Sequence, residues 1–388
     1  MENEPNELRP DADGEPTFLG LDPPTSRPAA VIVPVPYDAT STWQKGADRG
    51  PAALLAASAE VELFDLETSS EPCRSGILTG PPVLHEGDPA DLADVVEEVV
   101  ATVIGQGAVP IVIGGEHSVS IGAIRAAAAA VRSGGDRLGV VQIDAHGDTR
   151  ESYHGSPFNH ACVMARAREV ADIVQVGIRA IDRSEHDTMD LGRVFPAHEI
   201  LEAADDAWMD RAIDLVPEDV YLTIDLDAFD PGIMPATGTP EPGGLDWRTV
   251  NAFVARLAAR RNVIGFDVVE LLPHPAHWAC DFLAAKLVHR VLAEILAARG
   301  TCTGRRIRSN PESRRVANED RRTRARRPGP RRAVRLVRGA VPRRGRAGRA
   351  RSLGGRRTEP ALHGGDEASR DSDRWSRPGA RVRFRRRR

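Results

Sequence analysis

The sequence is poor in aromatic residues and in cysteine, and each shortage excludes a class of protein. Aromatic residues make up 4% of the 388 positions, which argues against a surface on which nucleic-acid bases stack. The four cysteines are scattered and form no Cys-x-x-Cys pair, so neither a zinc ribbon nor a disulfide scaffold is indicated. We therefore expect a protein of the reducing cytoplasm.

Long apolar segments are also missing. No run of about 18 apolar residues occurs, so we expect no transmembrane helix. The first residues, MENEPNELRPDADGEP, are acidic and lack an apolar stretch, which argues against a secretory signal. Hydrophobic residues still make up 41% of the chain, which is enough for a sizeable buried core.

Charge is distributed very unevenly along the chain. Residues 1–300 contain 22 basic and 48 acidic residues, whereas residues 301–388 contain 30 Arg, no Lys and 8 acidic residues. Residues 1–28 are acidic and Pro-rich, and we interpret them as a flexible arm. Residues 301–388 show no helical or strand period, and self-repulsion with low hydrophobicity predicts a disordered Arg-rich tail.

Three interpretations of the Arg-rich tail stay open. It is an arm for nucleic acid or another polyanion, a solvated tail without a partner, or an out-of-frame translation of a GC-rich gene. The absence of Lys among 30 Arg favours the third, because a selected basic arm usually mixes both residues. The acidic balance of residues 1–300 argues against nucleic-acid binding as the main function.

Between these ends, short apolar runs alternate with amphipathic segments. Residues 90–107, 247–261 and 281–300 space their apolar residues three and four apart, which predicts helices. Six runs rich in Val and Ile predict strands covered on both faces: residues 29–36, 109–115, 137–144, 172–178, 220–227 and 262–270. This alternation predicts one α/β domain over residues 29–300, with helices covering a mainly parallel sheet.

Acidic residues and histidines follow three of these strands, in the segments GGEHS, IDAHGD and IDLDAFD. Every second residue of an extended segment points the same way. Open α/β sheets bind ligands at the carboxyl ends of their strands, so we expect these side chains to meet. The six residues are His117, Asp144, His146, Asp148, Asp225 and Asp227.

Such a set of ligands predicts a site for two divalent cations. One Asp-x-His-x-Asp segment alone is equally consistent with a hydrogen-bonded turn. Three acidic strand ends are harder to explain as independent helix caps, because buried like charges repel unless a cation joins them. Ligation mainly by oxygen favours manganese over zinc, and two such ions would supply hydroxide at neutral pH.

These segments resemble those of the ureohydrolases, the family of arginases and agmatinases. The resemblance is carried by GGEHS, DAHGD and TIDLDAFDPG followed by ATGTPEPGG, with support from PYDATSTWQKGADRGP, NHACVMARA and GFDVVELLP. The form TGTPEPGG is more similar to agmatinases than to arginases. The resemblance implies a three-layer α/β/α fold, a dinuclear manganese site, a trimer or hexamer, and cleavage of a guanidino group to urea and an amine.

The resemblance also implies roles for individual residues. His160, in NHACVM, matches the family's proton shuttle, with His154 as a local competitor, and either alone would be read as a surface-loop histidine. Glu270, at the end of GFDVVE, matches the acid that binds the guanidinium, and Asp148 would also orient the hydroxide. The implied ligands are His117, Asp144, Asp148 and Asp225 for one ion, and Asp144, His146, Asp225 and Asp227 for the other.

Two further acids have no predicted part in the chemistry. GGEHS carries Glu116 where many relatives have Asp, beside a ligand position. Asp267 is expected to be a structural buried acid.

The sequence favours agmatine, hydrolysed to putrescine and urea, as the reaction. The segment DAHGDTRESYHGSPFNH lacks the arginase-like residues that bind the α-carboxylate and α-amino group of an amino acid. Guanidinobutyrate, guanidinopropionate, arginine and formimidoylglutamate stay open as substrates. An inactive assembly partner is a further alternative, although no ligand position is missing.

Overall fold

The computed structural model describes residues 16–301. Within them, eight strands form one sheet: β1 (Ala30–Val35), β2 (Ile77–Thr79), β3 (Val109–Gly114), β4 (Leu138–Ile143), β5 (Ala171–Val176), β6 (Val194–Phe195), β7 (Asp219–Asp225) and β8 (Asn262–Val269). The described residues also form nine α-helices: α1 (Gly50–Ser58), α2 (Pro89–Gly105), α3 (Ser120–Ser133), α4 (Val163–Ala167), α5 (Arg183–His186), α6 (Ala197–Glu202), α7 (Ala207–Asp214), α8 (Trp247–Arg260) and α9 (Ala279–Ala298).

The sheet is parallel throughout, with the strand order β2-β1-β3-β8-β7-β4-β5-β6. Strands β1, β3 and β4 are buried along their whole length, as expected for strands with helices on both faces. The order makes β3, β8, β7 and β4 neighbours. Their carboxyl ends therefore lie side by side at one edge of the sheet.

Two apolar clusters cover the two faces of the sheet. In β1, Ile32 packs into a cluster formed with α1, α7, α8 and α9. Val31 and Val33 pack into the other, formed with α2, α3 and α4. This arrangement confirms the predicted three-layer α/β/α fold. Among residues 16–301, no helix has the length and apolar character needed to cross a bilayer.

Part of the predicted flexible arm is packed against the domain. Phe18 and Leu19 are buried, and their backbone N–H groups donate to Thr79 Oγ1 at 2.9 Å and Ser58 Oγ at 2.8 Å. The prediction of a flexible arm is therefore corrected for residues 16–28. The segment is polar on average, but its two large apolar residues pack against the domain. Residues 1–15, and the Arg-rich tail from residue 302 onward, lie outside the described residues.

A buried ion cluster joins α9 to the segment between α1 and β2. The guanidinium of Arg290 donates to the buried carboxylates of Asp65 and Glu294 and to the exposed Glu67. Asp65 also accepts from the backbone N–H and the hydroxyl of Thr68. Burial opposes the charge of Asp65, but the hydrogen bonds from Arg290 and Thr68 outweigh it and lower the pKa of this carboxyl.

Replacing Asp65 with Asn is expected to lower the free energy of unfolding by about 3 kcal/mol, because Arg290 loses a buried partner. Since the folded pKa of Asp65 is lowered, its contribution is complete above the unfolded pKa and is lost as pH falls through the folded pKa. Urea unfolding followed by circular dichroism, at neutral and acid pH, measures both effects. The matched control Glu67→Gln should change stability by less than about 1 kcal/mol. Equal losses in the two variants would contradict a buried pair.

Candidate metal centre and active site

The carboxyl ends of four neighbouring strands form the candidate site. His117 follows β3, Asp144 follows β4, Asp225 ends β7 and Glu270 follows β8. These residues are far apart in sequence, but the strand order β3-β8-β7-β4 brings them to one edge of the sheet. Each of these strands is apolar and is followed by a polar segment. Charged groups are therefore concentrated at the carboxyl ends of the four strands.

The ring of His117 faces three carboxylates. Its Nδ1 atom lies 3.2 Å from Asp144 Oδ2, 2.9 Å from Asp148 Oδ2 and 3.4 Å from Asp225 Oδ2. This nitrogen is buried and makes no hydrogen bond of acceptable geometry. A buried polar atom without a hydrogen-bond partner is rare in folded proteins, and a histidine nitrogen that faces several carboxylates suits a cation as its partner.

The other ring nitrogen of His117 determines which atom faces the carboxylates. Thr223 Oγ1 donates to Asp267 Oδ1 at 2.6 Å and lies 2.9 Å from His117 Nε2. The hydroxyl proton is engaged, so Thr223 accepts from Nε2–H, and in the neutral ring the lone pair is then on Nδ1. Asp267 thus orients His117 through Thr223, which goes beyond the structural role predicted for it. Metal-binding histidines are commonly oriented in this way.

A second group of side chains overlaps the first. His146 Nδ1 lies 2.9 Å from Asp227 Oδ2 and 3.8 Å from Asp144 Oδ1. The two groups with metal-ligand composition are His117, Asp144 and Asp148, and Asp144, His146 and Asp227. Within each group the potential ligand atoms lie within 4.8 Å of one another. Because Asp144 belongs to both, the arrangement suits two cations that share a carboxylate.

Crowding of buried carboxylates shifts their pKa values. Burial and the charges of Asp227 and Asp148 raise the pKa of Asp144 to about 7. Burial and the charges of Asp227 and Asp144 raise the pKa of Asp225 well above its usual range. Burial opposes the protonation of His146, but the charges of Asp227, Asp144 and Asp148 outweigh it and raise the pKa of His146 to about 11. Cations bound among these groups would offset the repulsion.

Two of the predicted catalytic residues have an unusual backbone conformation. The φ angle is +52° at Asp148 and +66° at Glu270, in the left-handed region that is costly for residues with a side chain. Glu270 Oε1 accepts from the backbone N–H of His117 at 2.9 Å. Burial and the charge of Glu116 raise the pKa of Glu270 well above its usual range. Such backbone strain clusters at functional sites.

His160 lies beside these acids at the start of a short 3-10 helix. Burial lowers the pKa of His160, although the charge of Asp148 acts in the opposite direction. The ring edge of His160 faces Tyr153, with 6.0 Å between ring centroids. His154, the alternative candidate for the proton shuttle, is exposed, and its ring centroid lies 4.2 Å from that of Tyr153. Of the two histidines, His160 is the half-buried one.

Known proteins show clear similarity to this chain. The sequence model of the Arginase family matches residues 28–293. The chain is 40% identical over 273 residues to the N(1)-aminopropylagmatine ureohydrolase of Synechocystis sp., which covers 68% of this chain and 88% of that protein. It is 34% identical over 282 residues to the protein of the same name from Thermus thermophilus, with 71% and 93% covered.

A solved structure agrees with these sequence relatives. The agmatine ureohydrolase of Thermoplasma volcanium superposes with a TM-score of 0.64 at 30% identity, covering 71% of this chain and 92% of that one. The relatives are ureohydrolases, which confirms the resemblance carried by GGEHS, DAHGD and TIDLDAFDPG. The chain therefore belongs to the arginase family, as a guanidino-hydrolysing enzyme of its agmatinase-like branch.

Proposed function

We propose that this enzyme hydrolyses agmatine to putrescine and urea with two bound Mn²⁺ ions. The observation that carries the proposal is the pair of overlapping His/Asp groups that share Asp144, together with the half-buried carboxylate of Glu270, which accepts from the backbone N–H of His117. The short distances between the potential ligand atoms within each group support two bound ions. The carboxylate of Glu270 supports a cationic, planar substrate.

The proposed ligands are six side chains. The unpaired Nδ1 of His117 and the raised pKa of Asp144 support this assignment. One ion would be held by His117, Asp144, Asp148 and Asp225, and the other by Asp144, His146, Asp225 and Asp227. An oxygen-rich set with two imidazoles favours manganese over zinc. When bound, the two ions supply hydroxide at neutral pH and offset the negative charge that develops.

Glu270 and Asp148 position the reactants in this proposal. A carboxylate matches two N–H groups of a guanidinium in a planar, bidentate contact, and we assign that contact to Glu270. Gly238, in the segment ATGTPEPGG, leaves room beside it, since a Cβ there would lie 3.6 Å from Glu270 Oε2. We assign the orientation of the attacking oxygen to Asp148, and its position 2.9 Å from His117 Nδ1, beside the proposed ligands, supports this assignment.

His160 moves the proton that the leaving amine needs. An amine is a poor leaving group unless its nitrogen is protonated, so a general acid is required. Burial lowers the pKa of His160 and so favours the neutral imidazole, which can take up the proton that the attacking water loses. It then donates this proton to the amine nitrogen as the C–N bond breaks.

Agmatine and N(1)-aminopropylagmatine are the two leading substrates. Both present the same guanidino group and differ in the amine at the other end. The name of the Thermoplasma volcanium enzyme favours agmatine, as does the lack of an arginase-like segment for an α-carboxylate. The names of the Synechocystis and Thermus relatives favour N(1)-aminopropylagmatine.

Urea release by the manganese-loaded, full-length protein distinguishes the substrates. Agmatine, N(1)-aminopropylagmatine, arginine and 4-guanidinobutyrate are compared at equal concentration. We expect agmatine to exceed arginine by roughly 10²-fold in kcat/KM, because the amino-acid end of arginine finds no matching polar groups. Preference for N(1)-aminopropylagmatine would keep the reaction and change the substrate. Manganese binding without urea from any compound would overturn the proposal.

Replacing Thr223 with Val is expected to weaken manganese binding by roughly 10- to 100-fold. The variant keeps the shape of the side chain but removes the hydroxyl that links His117 to Asp267. Titration calorimetry with Mn²⁺ measures the change. Thr102→Val is a matched control, because the hydroxyl of Thr102 donates to Glu98 O on the exposed face of α2. Unchanged manganese affinity in Thr223→Val would contradict the proposed orientation of His117.

We also propose that the protein forms a homotrimer or hexamer in the cytoplasm. The family resemblance supports the assembly, and the scattered cysteines of the sequence support a reducing compartment. Light scattering of the purified protein tests the assembly, and a monomer at micromolar concentration would contradict it.

A further inference from the structure

A threonine hydroxyl contacts both the backbone and the ring of His160. Thr40 Oγ1 accepts from the backbone N–H of His160 at 3.0 Å and lies 3.1 Å from its Nδ1. Thr40 follows β1 and is 120 residues away from His160 in sequence. The contact therefore joins two segments that only the fold brings together.

The chemistry of a hydroxyl suits a ring that gains and loses a proton. A hydroxyl donates to the lone pair of Nδ1 in a neutral imidazole, and it accepts from Nδ1–H in an imidazolium. Thr40 can thus keep its hydrogen bond to His160 in both protonation states. The imidazole ring can therefore keep the same orientation when it gains or loses a proton. A carboxylate in the same place would favour the charged ring alone.

Glu116 holds Thr40 in place. Its buried carboxylate accepts from Thr40 N–H at 3.3 Å through Oε1 and from Ser118 N–H at 2.7 Å through Oε2. The Ser118 hydroxyl also donates to Oε1 at 2.8 Å. Glu116 directly precedes His117, so one carboxylate ties the segment of His117 to the segment of Thr40. Glu116, which stands where many relatives have Asp, thus has a defined set of hydrogen-bond partners in this structure.

We propose that Thr40 is a positioning residue for His160, and that Glu116 fixes Thr40 in turn. The inference rests on the proposed role of His160 as the proton shuttle. The Thr40 hydroxyl holds the imidazole in one orientation through the whole proton transfer, from uptake at the attacking water to donation at the leaving amine. Thr40 itself contacts neither metal ligand nor substrate in this proposal.

The test is a double-mutant comparison in the full-length, manganese-loaded protein. We measure kcat, KM for agmatine and bound manganese in wild type, Thr40→Val, Thr40→Ser, His160→Ala and the combined Thr40→Val/His160→Ala variant. Thr40→Val should lower kcat by about tenfold, the effect of one lost hydrogen bond, with KM and manganese unchanged. Thr40→Ser should restore kcat to within about twofold of wild type, because it restores the hydroxyl.

The combined variant separates positioning from general structure. If Thr40 acts through His160, adding Thr40→Val to His160→Ala causes no further loss of kcat. Thr79→Val is the control, because this buried hydroxyl also accepts a backbone N–H but belongs to the contact with Phe18. We expect its kcat to equal that of wild type. If Thr40→Val fails to fold, Thr40→Ala removes the same hydroxyl and takes its place.

The outcomes distinguish the positioning role from the proposed function. Equal loss of kcat from Thr40→Val with and without His160, loss of manganese, or failure of Thr40→Ser to restore kcat would each overturn the positioning role alone. A wild-type protein that binds manganese but releases no urea would overturn the proposed function, and the role of Thr40 with it.

Discussion

Asp227→Ala is expected to abolish urea formation, with kcat at least about 10⁴-fold below wild type, and to leave fewer than two manganese ions per chain. Asp227 Oδ2 lies 2.9 Å from His146 Nδ1, and its Oδ1 accepts from the backbone N–H of Ala145 at 3.1 Å. Removing the carboxylate takes away a proposed ligand and the carboxylate that lies nearest to His146 Nδ1. Metal analysis and a urea assay on the same sample measure both effects.

Asp219→Ala is the matched control for this variant. Asp219 begins the same strand, β7, and accepts a hydrogen bond from Asn262 Nδ2 at the opposite edge of the sheet. It should keep both manganese ions and wild-type turnover. Full activity in Asp227→Ala, or equal metal loss in both variants, would contradict the proposed ligand set.

His160→Ala is expected to slow turnover by roughly 10²- to 10⁴-fold, the usual loss when a general acid–base group is removed. The leaving amine then departs without a positioned proton donor, while the six proposed ligands are untouched. Steady-state kinetics with agmatine and metal analysis test this, with manganese expected at the wild-type level.

His154→Ala is the control for the shuttle, because His154 is a nearby histidine that is exposed and packs on the same Tyr153 ring. Its kcat should stay within about twofold of wild type, since exposed positions away from reacting groups tolerate substitution. A large loss in His154→Ala and none in His160→Ala would reverse the assignment of the two histidines.

The sequence predicts the central sheet well because its signals are local. The strands β1, β3, β4, β5, β7 and β8 are runs rich in Val and Ile that are buried along most of their length, and such a run is typical of a strand covered on both faces. The edge strands β2 and β6 have only three and two residues, so they carry no periodicity. The packing of Phe18 also escaped prediction, because it depends on Thr79, 61 residues away.

In the candidate site, too, residues that follow a local sequence pattern are predictable, whereas contacts between distant segments are not. The alternation of acid, histidine and acid after a strand predicts Asp144, His146 and Asp148 as site residues from the sequence alone. Thr223 also carried a usable signal, since it precedes Asp225 by two residues and faces the same side of β7. No local pattern links Thr40 to His160, because a contact between segments 120 residues apart exists only in the folded chain.

The most direct test of the central claim is to count manganese and urea on one sample of the full-length protein, before and after chelation. We predict two manganese ions per chain and urea equimolar with putrescine from agmatine. Chelation should remove both metal and activity, and added Mn²⁺ should restore them. Urea formation that survives complete metal removal, or two bound ions without urea from any guanidino compound tested, would contradict this account.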